Sequence, residues 1–275
     1  MIPALTAAFM LAHTPVEPPT PAPTCSPPPG AEQLWAAPET RFVILGEIHG
    51  TTETPAAFAG MVCAASAGRP VVVGLEFEDT AQPAFDAWMA SKGTPADRDA
   101  LLASTAFTRR FEDGRSSAAM LNLMEDLRRL RAEGREISVV AFRPGLVPPP
   151  GFDQNYGELA MAQNLSRMAQ DRPGALALVL VGRFHASLQP AGAVRPAASH
   201  LPRAGLVSIS LAVQGGSLWS CGGDGPTPAC GPGEVPGADD GQRGVMLSPT
   251  ADGRFDGSLA LGPTTASPPA REVHP

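Results

Sequence analysis

The chain has 275 residues, 43% of them hydrophobic, and a formal net charge of −7. The length and apolar fraction suit one large globular domain with tails, and the negative charge argues against a nucleic-acid partner. No run of about 18 apolar residues occurs, so we expect no transmembrane span.

The first 30 residues are predicted to be an apolar leader and a proline-rich linker. Residues 4–12 are apolar, like the core of a signal peptide, although the first basic residue is Arg41 and no clear cleavage motif follows. The repeated prolines of residues 13–30 favour extended chain. We expect an exported, periplasmic protein, with a cytoplasmic location as the alternative. The folded domain is expected over 31–261, with a disordered tail over 262–275.

Within the domain, short apolar runs alternate with segments of helical periodicity. Strands are expected at residues 41–46, 71–75, 136–142, 176–181, 206–213 and 217–219. Helices are expected at 54–68, with Thr54 as its N-cap, and at 81–90, 97–103, 116–133 and 156–169. This alternation predicts an α/β fold: a mostly parallel central sheet with helices on both faces. The last two strands suggest a C-terminal hairpin across Gly215-Gly216.

The four cysteines suggest two disulfides. Cys221 and Cys230 flank a Gly/Pro-rich loop at 222–226, which favours a disulfide-closed loop, and Cys25 would then pair with Cys63. A cysteine zinc site is disfavoured because no Cys-x-x-Cys pair occurs. Four cysteines allow about three pairings, and free thiols in a cytosolic protein are the alternative reading.

Chemically capable side chains follow three of the predicted strands. They are Glu47 and His49 after the first strand, Glu76 after the second and His185 after the fourth. Residues two apart in a strand point to the same side, and parallel strands place their carboxyl ends along one edge. We therefore expect these four side chains to meet in one site.

Two imidazoles and two carboxylates support three kinds of chemistry. They could bind a divalent metal, which the sequence does not identify, or work without metal, one histidine acting as general base and a glutamate fixing its tautomer. They could also hold a ligand without catalysis. If His49 is a neutral base, activity should fall as the pH drops through its pKa, near ~6.5 when unperturbed.

The segment before the long helix supplies further candidates. Asp113 and Arg115 are candidate substrate-binding residues, because Arg115 could reach an anionic group at the helix N-terminus. Asp113 or Ser116 could instead simply cap that helix. We expect Glu78 to be solvated and Tyr156 to have a packing role.

Three short motifs resemble those of the superfamily of erythromycin esterases, ChaN-like haem-binding lipoproteins and Tiki/TraB proteins. They are Gly46-Glu47-Ile48-His49-Gly50, the strand-ending Glu76, and Gly182-Arg183-Phe184-His185-Ala186. The helix with Met161-Ala162 resembles a helix common to the group, so the resemblance covers roughly residues 41–186. It implies an α/β fold with the Glu/His cluster as its site.

The resemblance implies different activities for different members. Esterase-like members imply metal-free hydrolysis with a histidine as base, Tiki-like members a metal-dependent peptidase, and ChaN-like members haem binding without catalysis. His49 would be the leading base or ligand. The Arg-Asp pair that often precedes Met-Ala is replaced here by Gly157-Glu158. We expect a hydrolase of a small-molecule or peptide ester or amide, with a periplasmic haem- or metal-binding protein as the alternative.

Overall fold

The computed structural model describes residues 25–108, 112–145, 149–222 and 229–271. The apolar leader, most of the Gly/Pro-rich loop and the last four residues of the expected tail lie outside the described residues. None of the helices within these ranges has the length and apolarity needed to cross a bilayer.

The chain alternates strands and helices. The strands are β1 (Phe42–Glu47), β2 (Val71–Glu78), β3 (Ile137–Arg143), β4 (Leu176–Gly182), β5 (Leu206–Leu211), β6 (Ser217–Gly222), β7 (Ala229–Glu234), β8 (Gly244–Met246) and β9 (Gly257–Ala260). The helices are α1 (Glu53–Ala65), α2 (Gln82–Ala90), α3 (Pro95–Leu102), α4 (Ala118–Ala132) and α5 (Gln154–Gln170).

Seven strands form one sheet in the order β3-β2-β4-β1-β5-β9-β8. All neighbours pair in parallel except β8, which runs antiparallel to β9 at the edge. The sheet places β4 between β1 and β2, with Glu47 opposite Gly182. The three strands that carry the candidate residues are therefore adjacent, and their carboxyl ends share one edge.

The central strands are buried on both faces, as their unbroken apolar runs predicted. Alternate strand residues such as Val43 and Leu178 pack with α1, α2 and α4 on one face. Ile44 and Val179 pack with α5 on the other. The predicted mostly parallel sheet with helices on both faces is confirmed.

All five predicted helix starts differ from the observed ones by one or two residues, and the positions of hydroxyl side chains account for two of these differences. Helix α1 begins at Glu53, because Thr54 is buried and its hydroxyl accepts a hydrogen bond from Thr51 (2.9 Å) instead of capping the helix. Helix α4 begins at Ala118, because Ser117 is the residue whose hydroxyl accepts from a backbone amide of the first turn.

The expected C-terminal hairpin is confirmed, but its suggested position across Gly215-Gly216 is wrong. Strand β5 lies inside the main sheet between β1 and β9, and both glycines have positive φ (83° and 98°) where the chain leaves the sheet. The hairpin is formed by β6 and β7, which pair antiparallel with Cys221 opposite Cys230. Both expected disulfides, Cys25–Cys63 and Cys221–Cys230, are confirmed.

Residues 263–271, here termed the C-terminal segment, are packed onto the domain instead of forming a free tail. The carbonyl of Thr265 accepts from the amide of Thr52 (2.9 Å), and the amide of Ser267 donates to the carbonyl of Gly50 (2.8 Å). The Ser267 side chain is buried. The described part of the expected tail is thus ordered, because its backbone groups bond to the loop that follows β1.

Candidate active site

The structure brings the four predicted strand-end residues together. Glu47 is the last residue of β1, His49 follows two residues later, Glu76 lies near the end of β2, and His185 follows β4. The Nε2 atom of His49 is 3.4 Å from Glu76, and the Nε2 atom of His185 is 3.7 Å from the other oxygen of the same carboxylate. One buried glutamate therefore lies between two imidazoles.

Glu76 is the centre of this cluster. One of its oxygens accepts a hydrogen bond from the guanidinium of Arg115 (2.9 Å), and the other accepts from the backbone amide of Gly182 (2.7 Å). Burial alone would raise the pKa of Glu76, but the positive charges of His49, His185 and Arg115 hold it well below its usual range. The carboxylate is therefore ionised at neutral pH.

Each imidazole is also held by a second carboxylate, and each such pair is here termed a dyad. The Nδ1 atom of His49 is 2.9 Å from Glu47, and that of His185 is 2.7 and 2.9 Å from the two oxygens of Glu158. This geometry places a proton on each Nδ1 and directs each Nε2 toward Glu76. The imidazoles keep 23% and 21% of their surface exposed, so water can reach them.

The carboxylates favour protonated imidazoles. Burial lowers the pKa of His49, but the charges of Glu76 and Glu47 outweigh it and raise this pKa to about 10. Burial likewise lowers the pKa of His185, while the hydrogen bond to Glu158 and the charge of Glu76 raise it above its ordinary value. His49 is thus not the unperturbed imidazole assumed from the sequence.

Glu158 is a member of the cluster that the sequence analysis missed. It is buried, and besides holding His185 it accepts a hydrogen bond from the amide of Ala197 (2.8 Å). It occupies the buried face of α5 with Met161 and Leu165, at helical spacings of three and seven residues. The sequence did contain a signal for this role, namely a glutamate on the apolar face of a predicted helix. The motif comparison treated Glu158 only as a departure from the Arg-Asp pair.

Arg115 joins the cluster from the loop before α4. Besides its bond to Glu76, its Nε lies 3.2 Å from both carboxylate oxygens of Asp113. Burial lowers the pKa of Arg115, but Asp113 and Glu76 together raise it further above its usual range. Asp113 thus holds Arg115, and the cap of α4 is Ser117 instead of Asp113 or Ser116.

The expectation that Glu78 is solvated is wrong. Glu78 is buried, and its carboxylate lies 3.7 Å from the guanidinium of Arg143. Tyr156 packs its ring against Phe152 with 5.5 Å between centroids, while 48% of its surface stays exposed. Glu78 and Phe152 both line a cavity beside the cluster.

A cavity of about 530 Å³ borders the His185 dyad. Its wall includes Glu78, Arg143, Phe152, Met161, Glu158 and His185. This volume is within the usual range for small-molecule sites, about 300–1,000 Å³. The cluster is therefore open to a ligand on the His185 side.

The donor set does not fit a metal ion or haem iron. Within the described ranges, no group of three or more His, Cys, Asp or Glu side chains has the arrangement needed to hold a metal. The oxygens of Glu76 are occupied by Arg115 and Gly182, and the fixed charge of Arg115 would repel a cation. Both ring nitrogens of His185 are next to carboxylates, which leaves neither directed at a haem ligand position.

No protein-family profile and no curated protein sequence matches the chain. Solved structures do match it. A Bacillus cereus protein is 12% identical with a TM-score of 0.63, over 84% of this chain and 90% of that one. A mutant of the erythromycin esterase EreC in its open conformation is 11% identical with a TM-score of 0.65, over 85% and 93%. A succinoglycan biosynthesis protein is 11% identical with a TM-score of 0.64, over 87% and 91%. The chain therefore has the fold predicted from its motifs.

Proposed function

We propose that this protein is a hydrolase that cleaves an ester or amide bond by metal-free acid–base catalysis. The carrying observation is the pair of dyads, Glu47–His49 and Glu158–His185, directed at one buried carboxylate, Glu76. Burying so many charged groups together works against stability. Clusters of residues with shifted pKa values in a cleft are typical of active sites.

In the proposed reaction His49 is the general base. Its Nε2 removes a proton from water while the water oxygen bonds to the substrate carbonyl carbon, and Glu47 stabilises the resulting imidazolium through Nδ1. Because Glu76 and Glu47 raise the pKa of His49 to about 10, the neutral base is scarce at neutral pH but strong.

His185 is the proposed general acid. It borders the cavity, and Glu158 and Glu76 raise its pKa above the ordinary value, which favours the protonated form that an acid requires. As the tetrahedral intermediate collapses, the bond from the carbonyl carbon to the leaving oxygen or nitrogen breaks, and that atom takes the Nε2 proton of His185. Glu158 keeps the ring oriented and its Nδ1 protonated. The neutral His185 then regains a proton from solvent, and the His49 imidazolium releases to solvent the proton that it took from water, so both residues return to their starting states.

The test is turnover of an ester and amide panel by the full chain, assayed with EDTA and with added Mn²⁺, Co²⁺ or Zn²⁺. We expect turnover that EDTA leaves unchanged and that His49→Gln and His185→Gln each reduce by about 100-fold or more. Glu158→Gln should also reduce kcat. Glu133→Gln, at an exposed carboxylate that ends α4, is the matched control and should behave like the wild type.

Three outcomes would overturn the proposal. They are wild-type turnover by His49→Gln, turnover that EDTA abolishes and a metal restores, and no turnover on any substrate. Haem titration gives an independent check: we expect no saturable Soret shift, and a stoichiometric one would favour a haem-binding protein instead. We also propose export, because two disulfides persist best in oxidising compartments.

A further inference from the structure

We infer that the substrate carries an apolar group, which occupies the cavity beside His185. This inference rests on the proposed function and specifies its substrate class. It draws on three observations: the position of the cavity, the pairing of its charged residues, and the apolar side chains of Phe152 and Met161 in its wall.

The cavity lies on the leaving-group side of the proposed reaction. It touches the Glu158–His185 dyad, whereas Glu47 and His49 are not among the residues of its wall. A substrate whose scissile carbonyl is at the cluster would therefore extend one of its substituents past His185. About 530 Å³ is enough for a chain of several carbons or an aromatic ring.

The charged residues of the wall have partners within the protein. The guanidinium of Arg143 is 3.7 Å from Glu78, and Glu158 is bonded to His185 and to the amide of Ala197. Asp153 caps α5 by accepting from the amide of Tyr156. An anionic or cationic substituent of the substrate would have to compete with these contacts in order to bind. We therefore expect the cavity to bind an apolar substituent.

The cavity wall contains one exposed large apolar side chain. Phe152 is 41% exposed, and the buried Met161 lies in the same wall. Apolar and aromatic side chains of this kind are typical of the walls of ligand-binding cavities. Leu247 is also exposed, but it follows β8 and is not among the residues of the wall.

Gly157 allows Phe152 to form part of this wall. A Cβ atom at position 157 would lie 3.1 Å from the ring of Phe152, closer than ordinary van der Waals contact. The ring therefore lies against bare helix backbone, next to Tyr156, and lines the same cavity as the buried Met161. Phe152 and Met161 form the apolar surface that the substituent would contact.

The test is a series of alkyl acetates in which the leaving alcohol lengthens from methanol to octanol, hydrolysed by the full chain and followed by titration of the acetic acid released. In the wild type we expect kcat/KM to rise by up to roughly three- to fourfold per methylene until the cavity is filled. Phe152→Ala should flatten this dependence, mainly through KM. Leu247→Ala is the matched control and should retain the wild-type dependence.

Three results would overturn the inference. They are an equal chain-length dependence in Phe152→Ala and the wild type, a preference for a carboxylate-tipped leaving alcohol over an alkyl alcohol of equal length, and a dimer in gel filtration that Phe152→Ala dissociates. The last result would assign the exposed Phe152 to contact with a second copy of the chain.

Binding of the neutral apolar dye Nile red, measured by fluorescence, separates this inference from the proposed function. Binding that Phe152→Ala weakens and Leu247→Ala does not would support the cavity even if no ester is hydrolysed. Ester hydrolysis without chain-length dependence and without dye binding would support the hydrolase and overturn the apolar cavity.

Discussion

Glu76 sets the protonation of the residues around it. Its negative charge is the largest influence raising the pKa of His49, ahead of Glu47. Its backbone bond to Gly182 and its ion pair with Arg115 fix its position. The charge state of the proposed base therefore depends on a residue that need not touch the substrate.

Replacing Glu76 should move the pH dependence of turnover. In the wild type, kcat/KM should rise with pH toward the raised pKa of His49, about 10, because the base must be neutral. Glu76→Gln removes a charge that raises this pKa, so the rising limb should shift to lower pH, whatever happens to the maximal rate. The measurement is a pH–rate profile of both proteins. An identical limb in Glu76→Gln would mean that His49 is not the titrating base.

The cluster was only partly predictable from single residues. Glu47, His49, Glu76 and His185 were found because each follows an apolar run that reads as a strand. Glu158 was detectable from its spacing to buried apolar neighbours, although the sequence did not show which histidine it would meet. The raised pKa of His49 could not be predicted, since it depends on distances between β1 and β2.

Among the secondary-structure elements, β4 is the one whose last residue packs most tightly against the candidate active site. Its last residue, Gly182, lies between the two imidazoles: a Cβ atom there would be 3.0 Å from Nε2 of His49 and 3.2 Å from Glu76. The backbone of Gly182 is not in the left-handed region, so a side chain there would not strain the backbone. The obstacle to a side chain is the lack of space beside His49 and Glu76. The close approach of the two dyads depends on this missing side chain.

Gly182→Ala should therefore impair catalysis more than folding. The added methyl group must push the imidazole of His49 or the carboxylate of Glu76 aside by a few tenths of an ångström, and we expect kcat to fall by about 100-fold. Gly74→Ala in β2 is the matched control, because its methyl group would meet only apolar side chains, at 3.3–3.4 Å. Steady-state kinetics and urea unfolding of both variants test this. Equal activity losses would contradict a specific role for Gly182.

Local pattern predicted the elements better than their partners. The strands β1, β2 and β4 and the helix α4 follow directly from apolar runs and helical periodicity. The pairing of β5 did not, because its neighbour β9 comes more than 40 residues later in the chain. Chain order suggested that β5 and β6 form a hairpin. In the structure β5 pairs with β9 instead, and β6 pairs with β7.

Across the whole molecule, the C-terminal segment joins the two loops that carry His49 and Arg115. It bonds to Gly50 and Thr52 just after His49, and its Pro268 carbonyl accepts from the amide of Ala118 (2.8 Å), three residues after Arg115. Proline content made this segment look unstructured, because the sequence cannot show which backbone groups it meets. We expect the functional unit to extend to residue 271.

Deleting residues 263–275 should lower both stability and activity. At about 1 kcal/mol for each net hydrogen bond, loss of the bonds to Gly50, Thr52 and Ala118 should reduce the free energy of unfolding by about 3 kcal/mol. Activity should fall further because His49 and Arg115 lose their anchors. Deletion of 272–275 alone is the control. Urea unfolding and ester turnover test this, and equal behaviour of the two truncations would show that the segment is dispensable.

Gly50 has a consequence for how the protein is made. Its carbonyl accepts from the amides of both Trp219 and Ser267, and a side chain at this position would collide with the Trp219 backbone. The loop beside His49 therefore receives its final contacts from residues that leave the ribosome long after it. A nascent chain that has already folded its first strands still lacks these contacts, so the proposed hydrolytic activity should appear only after residue 267 has left the ribosome.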